Sequence, residues 1–260
     1  MITKRTFLKL LPFTLLSSAW GKTTSKFELK RAHERHYINE RWMNLHQSFH
    51  YFDYDNPEDM GYGVLRILDD AVMDHLIGTP VHPHKNMEIL TIILEGRIFH
   101  QDTMGHAGIM QEGDIQLMSA GSGLKHAETN PSQFDKGKAL QIWIEPKLKD
   151  TPPSYQQKTL DAECMLNRFE LLVSPTGEDK SLSIKQDAKI YRGQFSKKQN
   201  LTIDLTMKNT GFYIFVIEGS ATVGKTTLKT RDGLGINENR LLSLDVAEDS
   251  DVLVFEVALK

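Results

Sequence analysis

The chain has 260 residues, a formal net charge of −3 at neutral pH and one cysteine, Cys164. That length supports one large domain or two small ones with a substantial core. The charge argues against a nucleic-acid or anionic-membrane partner, and one cysteine excludes an intrachain disulfide and a cysteine-rich zinc site. No activating neighbour is recognisable beside Cys164, so its thiol is read as buried and inert.

Residues 1–21 differ from everything after them. "MITKRTFLKLLPFTLLSSAWGK" has a basic start at Lys4 and Arg5, a short apolar run, then small residues at Ala19 and Gly21. This is the layout of an export signal peptide cleaved after Gly21, which predicts a periplasmic mature protein. "TKRTFLK" is similar to the twin-arginine signal pattern, with Lys4 in place of the first arginine. Lys9 and Pro12 interrupt the apolar run, so no stable membrane anchor is expected. The competing reading is an amphipathic N-terminal helix on a cytoplasmic protein.

From about residue 26 onward, strand signals dominate. "GVLRILDD", "MEILTIILEG", "IQLMSAG" and "KALQIWIEP" come first, then "LTIDLTM", "GFYIFVIEGSATVG", "NRLLSLD" and "DVLVFEVAL". Regular short apolar or alternating runs divided by Gly, Asn and Asp predict an all-β barrel or sandwich. "TLDAECMLNRFELLV" is the best helix candidate, and part of it reads equally well as strand. The charges and Pro152-Pro153 of residues 145–158 read as an extended linker. On either side of it, "LTIILEGRIFH" and "YIFVIEGSATV" share a strand, a Glu-Gly turn and a second strand. Two β-barrels of one kind in tandem are therefore expected, over residues 22–148 and 149–260.

The chemistry concentrates in the first of these. In "VHPHKNMEIL", His82 and His84 stand at i and i+2, which on a strand share one face. In "GSGLKHAETNP", His126 and Glu128 repeat that spacing. Three imidazoles and a carboxylate suit Fe(II), Mn, Ni, Co, Cu or Zn and match Ca or Mg poorly. Glu88 has the parity of His82 and His84 and competes for the carboxylate role, the plainer reading being a supporting or salt-bridging group. His100 and His106 are read as hydrogen-bonding loop or supporting groups. His33, His36, His46, His50 and His75 show no ligand spacing and default to surface or structural roles. Residues 211–224 carry no histidine, so the second unit is expected to hold no metal.

"TPVHPHKNMEILTIILEG" followed by "GDIQLMSAGSGLKHAETNP" closely resembles the pirin family of the cupin superfamily. "ERWMNLHQSFHYFDYDNPEDMGYGVLRILDD" resembles its N-terminal region, and "LQIWIEP" with "PSYQQK" its bacterial, quercetin 2,3-dioxygenase-like branch. The resemblance implies a bicupin of two jelly-roll barrels with one metal, first choice Fe(II), held in the N-terminal barrel by His82, His84, His126 and Glu128. It implies ring-opening dioxygenation of a flavonol or catechol-like substrate with O₂, Glu128 being placed to accept the substrate proton. The alternative it carries is a redox-sensing regulatory protein without small-molecule turnover. A monomer is the default. The segment "HLIGTPV" departs from the common Gly-rich approach to the first histidine, and an export signal is unusual in this family.

Overall fold

A computed structural model of the protein describes residues 27–40, 42–50, 59–237 and 240–260. The export segment expected over residues 1–21 lies outside them. The described residues form two β-sandwiches, each with a seven-stranded and a four-stranded sheet. The tandem all-β architecture expected from sequence is therefore present, as jelly-roll sandwiches of facing sheets rather than closed barrels.

In the first sandwich the large sheet runs Ser154–Thr159, Asp114–Ser119, Glu88–Glu95, Gly137–Ile144, Leu65–Met73, Asn44–Gln47, His36–Asn39. Its small sheet runs His82–His84, Leu124–Thr129, Arg97–Asp102, Ala107–Gln111. In the second, the large sheet is ordered Phe27–Lys30, Gly233–Ile236, Thr210–Glu218, Ser250–Ala258, Ala188–Phe195, Glu170–Ser174, Leu182–Ser183. Its small sheet is Gln199–Asp204, Leu241–Val246, Ser220–Val223, Thr226–Lys229. The segment read as a linker ends in Ser154–Thr159, a strand of the first sandwich, while the early strand Phe27–Lys30 belongs to the second. The sandwiches thus exchange edge strands.

The alternation along each strand explains the packing. In the large sheets, Leu90, Ile92, Ile115, Leu117, Leu140 and Ile142 face Leu172, Ile190, Phe215, Leu253 and Phe255 across a shared core. The opposite faces look into each sandwich's own interior, and the two interiors differ. The second is filled by Phe195, Phe212, Ile214, Val216, Leu234, Leu242 and Val254. Among the described residues the first holds small apolar clusters, one around Met73, Ile93, Ile98 and Met110, the other around Met87, Ile89, Met118 and Leu124. Between these clusters lie polar side chains.

The likeness between the two Glu-Gly segments is structural. Gly96 and Gly219 have φ of 71° and 78°, and each turns the chain from its large sheet into its small sheet. A Cβ on Gly96 would lie 2.3 Å from the Lys136 carbonyl oxygen, so glycine is required on two counts. The ambiguous helix segment divides into a short helix, Ala162–Met165, and the strand Glu170–Ser174. Cys164 is half-buried rather than buried, because that helix turns only Met165 inward; its Sγ faces Asp161 Oδ2 at 3.7 Å.

Candidate metal centre

Strand register assembles the site. Leu124–Thr129 is antiparallel to its neighbours on both sides, with His126 opposite His82 and Leu124 opposite His84 on one edge. On the other edge His126 lies opposite Asp102 and Glu128 opposite His100. Directly paired antiparallel residues share a face. His82, His84, His100, Asp102, His126 and Glu128 therefore all point into the first sandwich.

The ligand-capable nitrogens of His82, His84 and His126 lie within 4.8 Å of one another. Nε2 of His84 and Nε2 of His126 approach to 2.9 Å, so these two nitrogens converge on one space. The His82 Nδ1–H donates to the Pro80 carbonyl at 2.9 Å, which leaves its Nε2 as a lone-pair donor. Burial lowers the His84 pKa to about 4, with the nearby His82 adding to the effect. Burial lowers that of His126 further, helped by the surrounding imidazoles. Both rings are neutral at physiological pH, the state in which imidazole binds metal. The set fits a divalent first-row transition metal.

Glu128 follows His126 by two residues on the same strand. It groups with His126 and His100, again with potential ligand atoms within 4.8 Å of one another. Gln141 Nε2 donates to both its oxygens, at 3.1 and 3.3 Å, and the Gln141 Oε1 accepts from Trp143 Nε1 at 2.9 Å. Burial raises the Glu128 pKa to about 7. The Trp143 ring stands edge-on to His84, with centroids 4.8 Å apart, and closes one wall with Met87 and Met118.

Glu88 is not part of this site. Its side chain accepts from Ser119 Oγ at 2.7 Å and from the Lys185 amide at 3.2 Å. The parity argument fails because the chain leaves the small sheet after His84, turns at Asn86 (φ 51°) and enters the large sheet, which resets the alternation. Sequence also understated His100. It lies within strand Arg97–Asp102, fully buried, with Nδ1 3.4 Å from Nδ1 of His126 and Nε2 3.4 Å from Asp102 Oδ2. The parity of His100 and Asp102 was the available signal. Burial pushes Asp102 up, but hydrogen bonds from the His106 amide and ring, from His100 and from the Met104 amide hold it below the usual carboxylate range.

A separate group, His36, His50 and Asp59, has a different character. The two imidazoles stack at 3.6 Å with an interplanar angle of 3°, and Lys30 Nζ pairs with Asp59 at 2.6 Å. An imidazole lone pair lies in its ring plane, so two parallel stacked rings cannot aim at one ion.

Comparison with known proteins identifies the family and the fold. The family model "Pirin" matches residues 27–144, and "Quercetinase C-terminal cupin domain" matches residues 171–257. A protein named quercetin 2,3-dioxygenase from Escherichia coli is 35% identical over 229 residues, spanning 88% of this chain and 97% of that protein. The chain belongs to the pirin family. A pirin-like protein of Caulobacter vibrioides is 33% identical over 218 residues, covering 84% of this chain and 93% of its own length. The crystal structure of the bacterial pirin YhhW from E. coli, in complex with nickel(II), superposes with a TM-score of 0.84 at 33% identity. That match covers 90% of this pirin and 100% of the other chain. The bicupin reading is thereby secured.

Proposed function

We propose that this pirin is a metal-dependent dioxygenase that opens the central ring of a quercetin-like flavonol with O₂. The observation that carries the reading is the convergence of three imidazoles in a polar interior, next to a buried carboxylate. His82, His84 and His126 would hold the metal through nitrogen, and Glu128 would complete the set with oxygen. Fe(II) is the first choice, and Mn, Ni, Co, Cu and Zn suit the same donors. When bound, such an ion supplies Lewis acidity that eases deprotonation of a substrate hydroxyl.

The protein's own groups do the rest. Glu128, oriented by Gln141 and kept from water, accepts the hydroxyl proton. Trp143 and the methionines beside it exclude water from the electron-rich anion. With quercetin, ring opening consumes one O₂ and releases the depside and carbon monoxide. The relatives named quercetin 2,3-dioxygenase support that substrate class.

The test is O₂ uptake with carbon monoxide detection, on protein reconstituted anaerobically with Fe(II) and offered quercetin. Uptake accompanied by carbon monoxide, and absent in His126→Ala, is the expected result. Iron-loaded protein that consumes no O₂ with quercetin would remove the assignment and turn the search toward a protein partner.

A further inference from the structure

His126 has two ring nitrogens and each faces another imidazole. Its Nε2 looks toward His84, and its Nδ1 lies 3.4 Å from Nδ1 of His100. To offer a lone pair at Nε2, a neutral His126 must carry its proton on Nδ1. That proton then points at His100 Nδ1, which must be an acceptor. His100 must in turn carry its proton on Nε2, directed at Asp102 Oδ2 3.4 Å away. Asp102 is anchored for this: its Oδ1 accepts from the Met104 and His106 amides at 2.8 and 3.1 Å, and its Oδ2 also accepts from His106 Nδ1 at 3.0 Å. A carboxylate has no proton to give, so only one assignment satisfies the whole chain.

We propose that Asp102, acting through His100, is a positioning residue that fixes His126 as the Nδ1–H tautomer and so keeps Nε2 open to metal. This rests on the metal role proposed above for His126. Asp102 and His100 need not touch metal or substrate to act in this way. In Asp102→Asn, the two backbone amides keep the amide oxygen where Oδ1 was, so the NH₂ group faces His100 Nε2. His100 must then accept there and carry its proton on Nδ1, aimed at His126 Nδ1. His126 becomes an acceptor at Nδ1 and carries its own proton on Nε2, where the metal should sit.

The experiment compares nickel(II) affinity, by competition against a chromophoric chelator, for wild type, Asp102→Asn and His126→Ala. The tautomer of His126 is read independently by ¹⁵N–¹H correlation on the metal-free proteins. Asp102→Asn is expected to bind nickel about ten- to a hundredfold more weakly, with the His126 proton moved from Nδ1 to Nε2. Unchanged affinity and tautomer in Asp102→Asn, while His126→Ala loses nickel, would overturn the inference and leave the metal site standing. Nickel bound equally well by wild type and His126→Ala would instead remove the site on which it rests. If Asp102→Asn does not fold, His100→Leu serves, because it deletes the acceptor. It should weaken nickel binding by a similar factor, whereas complete loss with His84→Ala harmless would make His100 a ligand and defeat the proposal.

Discussion

Asp69 projects into the same interior as the candidate centre, from a strand position opposite Gln141. Its Oδ2 accepts from Gln47 at 2.9 Å, while its buried Oδ1 has no hydrogen-bond partner. Burial raises its pKa to about 7, against the opposing influence of Gln47 and Arg35. The folded protein therefore keeps a proton that the unfolded chain releases, and stability falls as pH rises from about 4 to 7. Asp69→Asn keeps the acceptor for Gln47 and removes the charge. In metal-free protein it should add about 1–3 kcal/mol of stability at pH 8 and nothing near pH 4. Urea unfolding at the two pH values measures this, and a gain equal at both would show that burial of the charge is not the cause. Sequence spacing made His82, His84, His126 and Glu128 legible because each pair lies within one strand. Asp69 carries no such spacing, and the supporting role of His100 depends on register between strands.

Among the elements, the strand Leu124–Thr129 brings two of the four candidate ligands, and it is held from the side by the "HLIGTPV" segment. The Thr79 amide donates to the Glu128 carbonyl at 2.7 Å, and the Glu128 amide donates to Thr79 Oγ1 at 3.0 Å. A Cβ on Gly78 would stand 2.3 Å from the Glu128 carbonyl oxygen, while one on Gly108 meets nothing within 4 Å. Gly78→Ala should destabilise by about 1–3 kcal/mol through that overlap. Gly108→Ala should leave the urea midpoint almost unmoved, and equal effects from both would show that close approach is not what requires Gly78. The departure noticed in this segment thus coincides with a fastening of the site. Strands with apolar cores, such as Glu88–Glu95 and Ser250–Ala258, were readable from composition and turns. Ser154–Thr159, with the sequence SYQQKT, was not, since its strand character comes from backbone pairing with Asp114–Ser119.

At the scale of the molecule, the largest core lies between the sandwiches and belongs to both. Arg35 reinforces the junction: its guanidinium pairs with Asp70 and the His46 carbonyl of the first sandwich and lies 5.3 Å from the Phe215 ring centre of the second. Phe215→Ala should destabilise both sandwiches together, by about 3–5 kcal/mol, within one calorimetric transition. Two resolved transitions, with only the second sandwich affected, would contradict a shared core. The tandem arrangement was legible from the repeated Glu-Gly turn, but the exchange of edge strands was not, because pairing between Phe27–Lys30 and Gly233–Ile236 joins segments far apart in sequence. That pairing also sets a timetable. During synthesis at roughly 5–20 residues per second, Phe27–Lys30 is made on the order of ten to forty seconds before the strand it must dock on exists. The first sandwich can assemble meanwhile, yet once Gly233–Ile236 is made its sheet edge stays open until Phe27–Lys30 returns to close it. The first strand among the described residues is thus among the last to be placed, and a nascent chain spends that interval with Phe27–Lys30 lacking its partner strand, for chaperones, or a neighbouring copy, to find.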